Sequence, residues 1–183
     1  RRIIKRGAIA RVPRRLKLTP ELGSVFGWYL AEGHNNHKKG NSLFFTIHKK
    51  EETKIYKILE ELSLVLNIQS TIKTTNRSDN SCRVSYGCSW LAWLCHSLFG
   101  EGATNKKLPS FIQNSPSDFK KSLIHGYISG DGWHNNTWFG SSSIILIAQM
   151  SHLIESLTKK GVTIKQNMTS GKTIILGREC NQS

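Results

Sequence analysis

The chain of 183 residues is long enough for one well-buried domain or for two small halves that share a core. No uninterrupted apolar run reaches membrane-spanning length and no signal-peptide pattern lies near the N-terminus, so we expect an intracellular protein without a membrane partner. The formal net charge of +14, from 26 Lys and Arg against 12 Asp and Glu, predicts a polyanionic partner, most often nucleic acid.

The cysteines predict core thiols. They lack the Cys-x2-Cys spacing of a zinc site, and a chain this rich in lysine is untypical of a secreted disulfide protein; the four are Cys82, Cys88, Cys95 and Cys180. We therefore expect a reducing compartment. Cys82 and Cys88 could touch on one strand, so a disulfide between them stays open.

A basic arm, residues 1–18, precedes the first half of the chain, residues 19–114. Thr19 and Pro20 predict a helix start, with Thr19 as the N-cap, and Gly33 ends this helix. Hydrophobic periodicity and turn residues predict the remaining elements. They are a strand at 42–48, an amphipathic helix at 55–65, strands at 68–75 and 82–88 joined by a polar turn at 77–80, and a helix at 90–99.

The second half, residues 115–183, begins at the end of a connector, residues 101–116. It repeats this order of elements but lacks a counterpart to the helix at 90–99. Ser115, Pro116 and Asp118 predict the start of its first helix, as a cap, a proline and an acid at capping-box spacing. The predicted elements are a helix at 118–131, a short strand pair around 133 and 137–141, a helix at 144–160, and a hairpin of 162–168 with 173–176. The alternation predicts an α+β fold.

The two halves also share a short segment, residues 27–33 in the first and 126–132 in the second. A repeat of this length predicts a duplicated structural unit. Small residues recur four apart in each copy, and they let two helices approach until their backbones nearly touch. The four are Gly27, Ala31, Gly126 and Gly130.

Each copy ends in an acidic residue followed by glycine, so packing the two helices side by side would bring Glu32 and Asp131 together. Each carboxylate would lie near the negative end of a helix dipole and would repel the other. A divalent cation offsets these charges, and ligands that are all oxygen favour Mg²⁺. Two carboxylates around hard cations in a basic protein point to phosphodiester hydrolysis.

These segments resemble the motifs of the LAGLIDADG homing endonucleases, specifically the dodecapeptide type carried inside inteins. Residues 25–33 are similar to one motif and residues 124–132 to the other, and residues 106–112 resemble the lysine-proline block ahead of the second motif. The resemblance covers residues 19 to about 176. It implies two pseudo-symmetric αββαββ-type halves, with the motif helices paired at the interface and a saddle of antiparallel sheets over the DNA major groove.

The resemblance also implies the chemistry. Glu32 and Asp131 would bind the metal and activate water, and Lys106 would support catalysis. The cofactor would be Mg²⁺, for which Mn²⁺ or Ca²⁺ would substitute in binding. The implied protein is a monomer that cuts both strands of a double-stranded DNA target site and leaves short 3′ overhangs.

Candidates for DNA contact come from strands that alternate polar and apolar side chains, because one face of such a strand can read base edges. They are Lys49, Gln69, Lys73, Arg77, Arg83, Lys165 and Gln166, with Lys172 as a phosphate contact or as the second-half counterpart of Lys106. Two further interpretations are weaker: a zinc site at His34 and His37, and auxiliary polar groups at Thr46 and Gly140. His125, inside the second motif helix, is expected in the core or at the helix interface.

Two other functions stay open. The first is a non-catalytic nucleic-acid-binding derivative of the same fold, such as a maturase or regulator, and the second is a ribosome-associated basic protein. No residues typical of intein splicing are visible at the two ends. We therefore expect either a free-standing nuclease or an excised endonuclease domain.

Overall fold

Helices and strands follow one another in the same order in both parts of the chain, except that the first part ends in an additional helix. The computed structural model describes residues 13–35, 42–78, 80–133, 138–165, 172–175 and 178–181. The elements of the first half are α1 (Pro20–Glu32), β1 (Gly33–Asn35), β2 (Leu43–His48), α2 (Glu52–Val65), β3 (Ile72–Asn76), β4 (Ser81–Tyr86) and α3 (Ser89–Phe99). Those of the second are α4 (Ser117–Asp131), β5 (Gly132–Trp133), β6 (Trp138–Phe139), α5 (Ile144–Thr158), β7 (Lys172–Ile175) and β8 (Arg178–Asn181).

The strands of the first half form one antiparallel sheet in the order β1-β2-β4-β3. Side chains of β2 alternate between the core and the open face, so that Leu43, Phe45 and Ile47 are buried and the residues between them are partly exposed. In β4, Cys82 and Val84 are buried in the same way. One face of the sheet therefore packs against the helices and the other stays open.

Helix α1 lies at the centre of the molecule and contacts α2, α3, α4 and the sheet. Thr19 caps its start as predicted, with its hydroxyl accepting the Leu22 N–H at 3.4 Å, and Pro20 occupies the first position. The helix is apolar on nearly every side, which is typical of a helix surrounded by protein. Its buried residues include Val25, Phe26, Trp28, Tyr29 and Leu30.

Helices α1 and α4 run parallel and touch through their backbones. A Cβ at Gly23 would lie 2.5 Å from the Phe119 carbonyl oxygen, and one at Gly27 would lie 2.6 Å from the Tyr127 nitrogen. Near the C-terminal ends, a Cβ at Gly130 would lie 2.6 Å from Ala31 Cβ. Real Cβ atoms do not tolerate such distances, so glycine at these positions is what permits the close approach. The predicted pairing of the motif helices is therefore present.

The second half departs from the predicted elements at two points. Ser115 does not cap α4: the helix begins at Ser117, and the Ser115 hydroxyl instead donates to the Phe111 carbonyl at 3.0 Å. Residues 162–165 are not a strand, because the Val162 N–H donates to the Glu155 carboxylate at 2.8 Å and the segment is thus tied to α5. The rest of that predicted strand lies outside the described residues.

The described strands of the second half form two separate antiparallel pairs, β5 with β6 and β7 with β8. The described part of the strand predicted at 173–176 is thus present in β7, and among the described residues its partner is β8 and not 162–165. Helix α5 ends at Thr158, two residues before the predicted end, because Lys159 adopts the left-handed conformation with φ of 59°.

Three cysteine predictions and one histidine prediction can be checked. Cys82, Cys88 and Cys95 are buried free thiols, as predicted, and no disulfide joins the first two. The Cys180 side chain lies outside the described residues. The prediction for His125 is wrong, since its side chain is exposed and not in the core or interface.

Within the described part of the chain, every helix falls short of the length and apolarity that crossing a bilayer requires.

Candidate active site and nucleic-acid interface

Glu32 and Asp131 are the last residues of two parallel helices, and each is followed by glycine. The interface that brings the helices into backbone contact also brings these two carboxylates to the same end of the molecule. The Glu32 side chain passes close to α4: its Cγ lies 3.2 Å from where a Cβ on Gly130 would stand. The structure therefore brings together the two acids that the sequence predicts as a pair.

The two carboxyl groups are electrostatically coupled. Burial, with added repulsion from the charges of Asp131 and Glu51, raises the pKa of Glu32 from 4.5 to about 7, against the lowering effect of Lys106. Burial likewise raises the pKa of Asp131, against the opposing effects of Lys106 and of a hydrogen bond from Tyr127. In the absence of a metal ion, the site thus disfavours ionisation of both carboxyl groups at once.

Lys106 is a cation whose charge acts on both carboxyl groups. Its side chain is only 6% exposed, and the ammonium donates to the carbonyls of Tyr29 at 2.8 Å, Leu30 at 2.9 Å and Ala31 at 3.4 Å. These carbonyls belong to the last turn of α1. The Tyr29 carbonyl also accepts the Gly33 N–H, whereas the helix ends too soon to supply N–H partners for those of Leu30 and Ala31. The ammonium therefore caps the negative end of α1 beside Glu32.

Burial lowers the pKa of Lys106 to about 8, although Asp131 and Glu32 both favour its charged form. The ammonium also lies 5.4 Å from the centre of the Tyr29 ring. The resemblance to a known family singled out Lys106, but the contact with α1 was not predicted. This contact depends on the three-dimensional path of the connector, which cannot be read from the sequence.

Four of the predicted DNA-contact residues lie on or beside the first sheet. Arg83 and Lys73 are on its open face, Lys49 directly follows β2, and Arg77 is exposed directly after β3. The Arg83 guanidinium lies 5.6 Å from the Phe44 ring centre. The open face therefore combines cationic and aromatic groups, as nucleic-acid-binding sheets do.

The other predicted DNA contacts are in different places. Lys165 is exposed, and its ammonium lies 5.3 Å from the ring of Trp138. Gln69 is exposed in the segment before β3. Gln166 lies outside the described residues, and of Lys172 only the backbone, at the start of β7, is described. Its predicted role as a counterpart of Lys106 thus stays a prediction.

The weaker candidates gain little support. His34 lies on the open sheet face and stacks on Phe44 at 5.6 Å between ring centres. Burial and the nearby charge of Arg83 lower its pKa. His37 is outside the described residues, and within them no three His, Cys, Asp or Glu side chains are placed to share a metal ion. Thr46 is half-buried on the open face, and the Gly140 carbonyl accepts the Tyr127 hydroxyl at 2.6 Å.

Comparison with known protein families gives no match. Among curated proteins, the chain is 28% identical over 153 residues to a DNA polymerase of Thermococcus litoralis, a stretch that covers 81% of this chain and 9% of that protein. It is 25% identical over 122 residues to an iron-sulfur cluster assembly SufBD family protein of Mycobacterium tuberculosis, covering 66% of this chain and 14% of that protein. The chain thus spans a small fraction of the relatives it matches.

Solved structures with the same architecture are more informative about fold. The homing endonuclease I-DmoI in complex with DNA and Ca is similar with a TM-score of 0.58 at 14% identity, over 78% of this chain and 74% of that one. The N-terminal LAGLIDADG domain of DUF199/WhiA is similar with a TM-score of 0.51 at 10% identity, over 92% and 77%. The predicted α+β fold is confirmed: the chain has the mixed helix and antiparallel-sheet architecture of these LAGLIDADG proteins.

Proposed function

We propose that this protein is a site-specific DNA endonuclease that depends on a divalent metal and cuts both strands of its target. One observation carries the proposal: glycine contacts between α1 and α4 bring Glu32 and Asp131 to one end of the helix pair. The basic sheet face and the net charge of +14 supply a surface for a polyanion. The solved structures of I-DmoI are complexes with DNA, which supports the same partner here.

The donor set fits a hard divalent cation. Glu32 and Asp131 offer carboxylate oxygens. Burial raises the pKa of both carboxyl groups, and repulsion by the Asp131 charge adds to the rise at Glu32. A cation bound there would relieve this repulsion, so we propose that these two residues hold Mg²⁺, or Mn²⁺ or Ca²⁺ in its place. When bound, such an ion lowers the pKa of water and stabilises charge on a phosphate.

Lys106 contributes electrostatically in this proposal. Its ammonium is occupied by the carbonyls of α1, so it is not placed to deliver a proton directly. It neutralises the negative end of the helix and lowers the pKa of Glu32, and both effects favour the ionised carboxylate that metal binding requires. Both acids and the lysine come from one chain, which supports a monomer as the active form.

The sheet face would bind the DNA. Lys73, Arg77 and Arg83 provide phosphate or base contacts along one surface, and Thr75 lies opposite Arg83 on the neighbouring strand. Each phosphate contact contributes about −0.9 to the slope of log binding constant against log salt concentration. Arg83→Ala is therefore expected to weaken binding and to flatten this slope by up to about one unit, whereas Lys57→Ala, a cation on α2 with 77% exposure, is expected to leave it unchanged.

The relatives support a mobile-element origin of the intein type. The matching stretch takes up 9% of a DNA polymerase and 14% of an iron-sulfur cluster assembly protein, whose names give unrelated activities. A similar segment within two unrelated proteins is expected of an inserted element and not of a shared host function. Homing by cleavage of a site in a host gene agrees with the proposed activity.

The second candidate function is binding of nucleic acid without cleavage, as in a maturase or regulator. The raised pKa of Glu32, about 7, favours it, because half of these carboxyl groups would be protonated near neutral pH if no cation were bound. Both candidates predict nucleic-acid binding. Only the endonuclease predicts cut ends that require Mg²⁺ and both acids.

The test is an incubation of the protein with a randomised duplex library and Mg²⁺, followed by sequencing of the ends. We expect cuts in both strands with short 3′ overhangs, and we expect Glu32→Gln or Asp131→Asn to abolish cutting while DNA binding remains. Glu60→Gln, the same substitution on the exposed surface of α2, serves as the control and should cut normally. Cutting that survives both active-site substitutions would show that the proposed mechanism is wrong; binding without any cutting would establish the second candidate.

A further inference from the structure

The connector that carries Lys106 is hydrogen-bonded along its backbone to two different helices. The Lys107 N–H donates to the Phe99 carbonyl at the end of α3 at 3.0 Å. On the other side, the Ser143 hydroxyl donates to the Lys106 carbonyl at 2.7 Å. The peptide group between Lys106 and Lys107 is thus held at both its N–H and its carbonyl.

Gln149 of α5 holds the next residue through both ends of its amide. Its Oε1 accepts the Leu108 N–H at 2.7 Å and its Nε2 donates to the Leu108 carbonyl at 2.9 Å. Leu108 is 5% exposed, so its backbone groups have little access to water as alternative partners. A buried peptide group without a partner costs substantially more than a hydrogen bond contributes, which makes this pair of contacts specific.

Ser143 has a second contact that its role as a helix cap does not require. It accepts the Leu146 N–H at 3.2 Å as the N-cap of α5, and its side chain is fully enclosed at 1% exposure. A cap needs only the accepting oxygen. The hydroxyl proton points to the Lys106 carbonyl instead of to solvent, so the start of α5 is fixed against the connector.

We infer that Ser143 and Gln149 are positioning residues for Lys106: by fixing the connector against α5, they hold the lysine where its ammonium reaches the C-terminal carbonyls of α1. Helix α5 belongs to the second half of the chain and α1 to the first. The electrostatic environment of Glu32 therefore depends on residues of the other half, beyond the contact between α1 and α4. The significance for cleavage rests on the proposed function; the positioning itself does not.

The positioning is tested by chemical labelling of the lysines in the full chain. Reductive methylation followed by peptide mass spectrometry reports how accessible each ammonium is. Lys106 should be protected in the wild type, and the adjacent exposed Lys107 provides an internal standard. Gln149→Ala removes two contacts and should raise the ratio of Lys106 to Lys107 labelling about tenfold through local opening of the connector.

Glu155→Ala is the matched control, because it removes a side-chain contact to a backbone N–H near the opposite end of α5. Even if it lowers the Tm as much as Gln149→Ala does, it should leave the ratio of Lys106 to Lys107 labelling unchanged. Gln149→Glu, which keeps the length of the side chain and the accepting oxygen, covers the case in which Gln149→Ala does not fold, and should give an intermediate ratio. Equal ratios in the wild type and in either folded Gln149 variant would overturn the positioning role.

Kinetics provide the second readout. If the wild type cuts DNA, Gln149→Ala should lower kcat while the Kd for DNA stays unchanged, since the connector is not part of the sheet face. An accessible Lys106 with wild-type kcat would refute the link to catalysis. If no variant or wild-type protein cuts any substrate, the proposed function fails, and the labelling ratio still decides the positioning.

Discussion

Replacing Gly27 by alanine tests whether the backbone contact between α1 and α4 sets the site. The added Cβ would lie 2.6 Å from the Tyr127 nitrogen and 2.9 Å from the Gly126 carbonyl carbon, and it would collide with the Leu123 carbonyl oxygen. All of these atoms are backbone and cannot rotate away. Carbon contacts need about 3.5 Å, so the helices must separate by roughly 1 Å.

The energetic cost follows from two opposing terms. Overpacking of a well-packed interior costs about 1–3 kcal/mol, and a backbone obstacle places Gly27→Ala at the upper end. Alanine recovers about 0.8–1.0 kcal/mol through its higher helix propensity. The net loss of about 2 kcal/mol corresponds to a fall in Tm of about 4–8 °C for a chain of this size. A 1 Å displacement of the acids should also lower the cleavage rate about a hundredfold.

The assay compares thermal unfolding and cleavage of Gly27→Ala with those of Gly161→Ala. Nothing lies within 4 Å of a Cβ added at Gly161, so this control should stay within about 0.5 kcal/mol of the wild type. Cleavage is measured well below the Tm of both variants. If Gly27→Ala melted and cut like Gly161→Ala, the backbone contact would not be what holds the two helices and the two carboxylates in place.

Two further predictions concern Glu32 and the metal. Because folding raises the Glu32 pKa from 4.5 to about 7, the metal-free protein should lose stability as pH rises through this window. Glu32→Gln should then be more stable than the wild type at pH 8 but not at pH 4, by about 1–2 kcal/mol after screening by solvent; a stability difference that stays constant with pH contradicts this. Mg²⁺ at a hundred times its Kd should stabilise the wild type by about 2.7 kcal/mol, or about 5–11 °C in Tm, and chelation should reverse the gain. The same Mg²⁺ shift in the double variant Glu32→Gln/Asp131→Asn would show that the ion binds elsewhere.

The central interface could be predicted from the sequence because its determinants are local. Small residues spaced four apart predict which faces of two helices can pack together. Once that packing is fixed, the acids at the ends of the two segments are expected to lie close together. Gly23 belongs to the same face one turn before Gly27, but it lies outside the repeated segment. Extending the spacing of four by one step would have found it.

The contacts around Lys106 could not be predicted in this way. Ser143 and Gln149 bind backbone groups of a connector that is distant in sequence, and no periodicity marks such partners. The false strand at 162–165 has a related cause: its alternating pattern is real, but the side chain of Glu155 takes the Val162 N–H that a sheet would need. His125 was misplaced because its position within the motif suggested the interface, whereas it lies on the exposed side of α4.

The glycine contact between α1 and α4 has a consequence for how such a protein evolves. Because main-chain atoms set the distance between the helices, the position of Glu32 relative to Asp131 is independent of the side chains on the open sheet face. Under the proposed function, substitutions at positions such as Lys73 or Arg83 would change the recognition sequence and leave the geometry of the cut unchanged. By the same logic, halves from different ancestors should remain compatible wherever the glycines are kept.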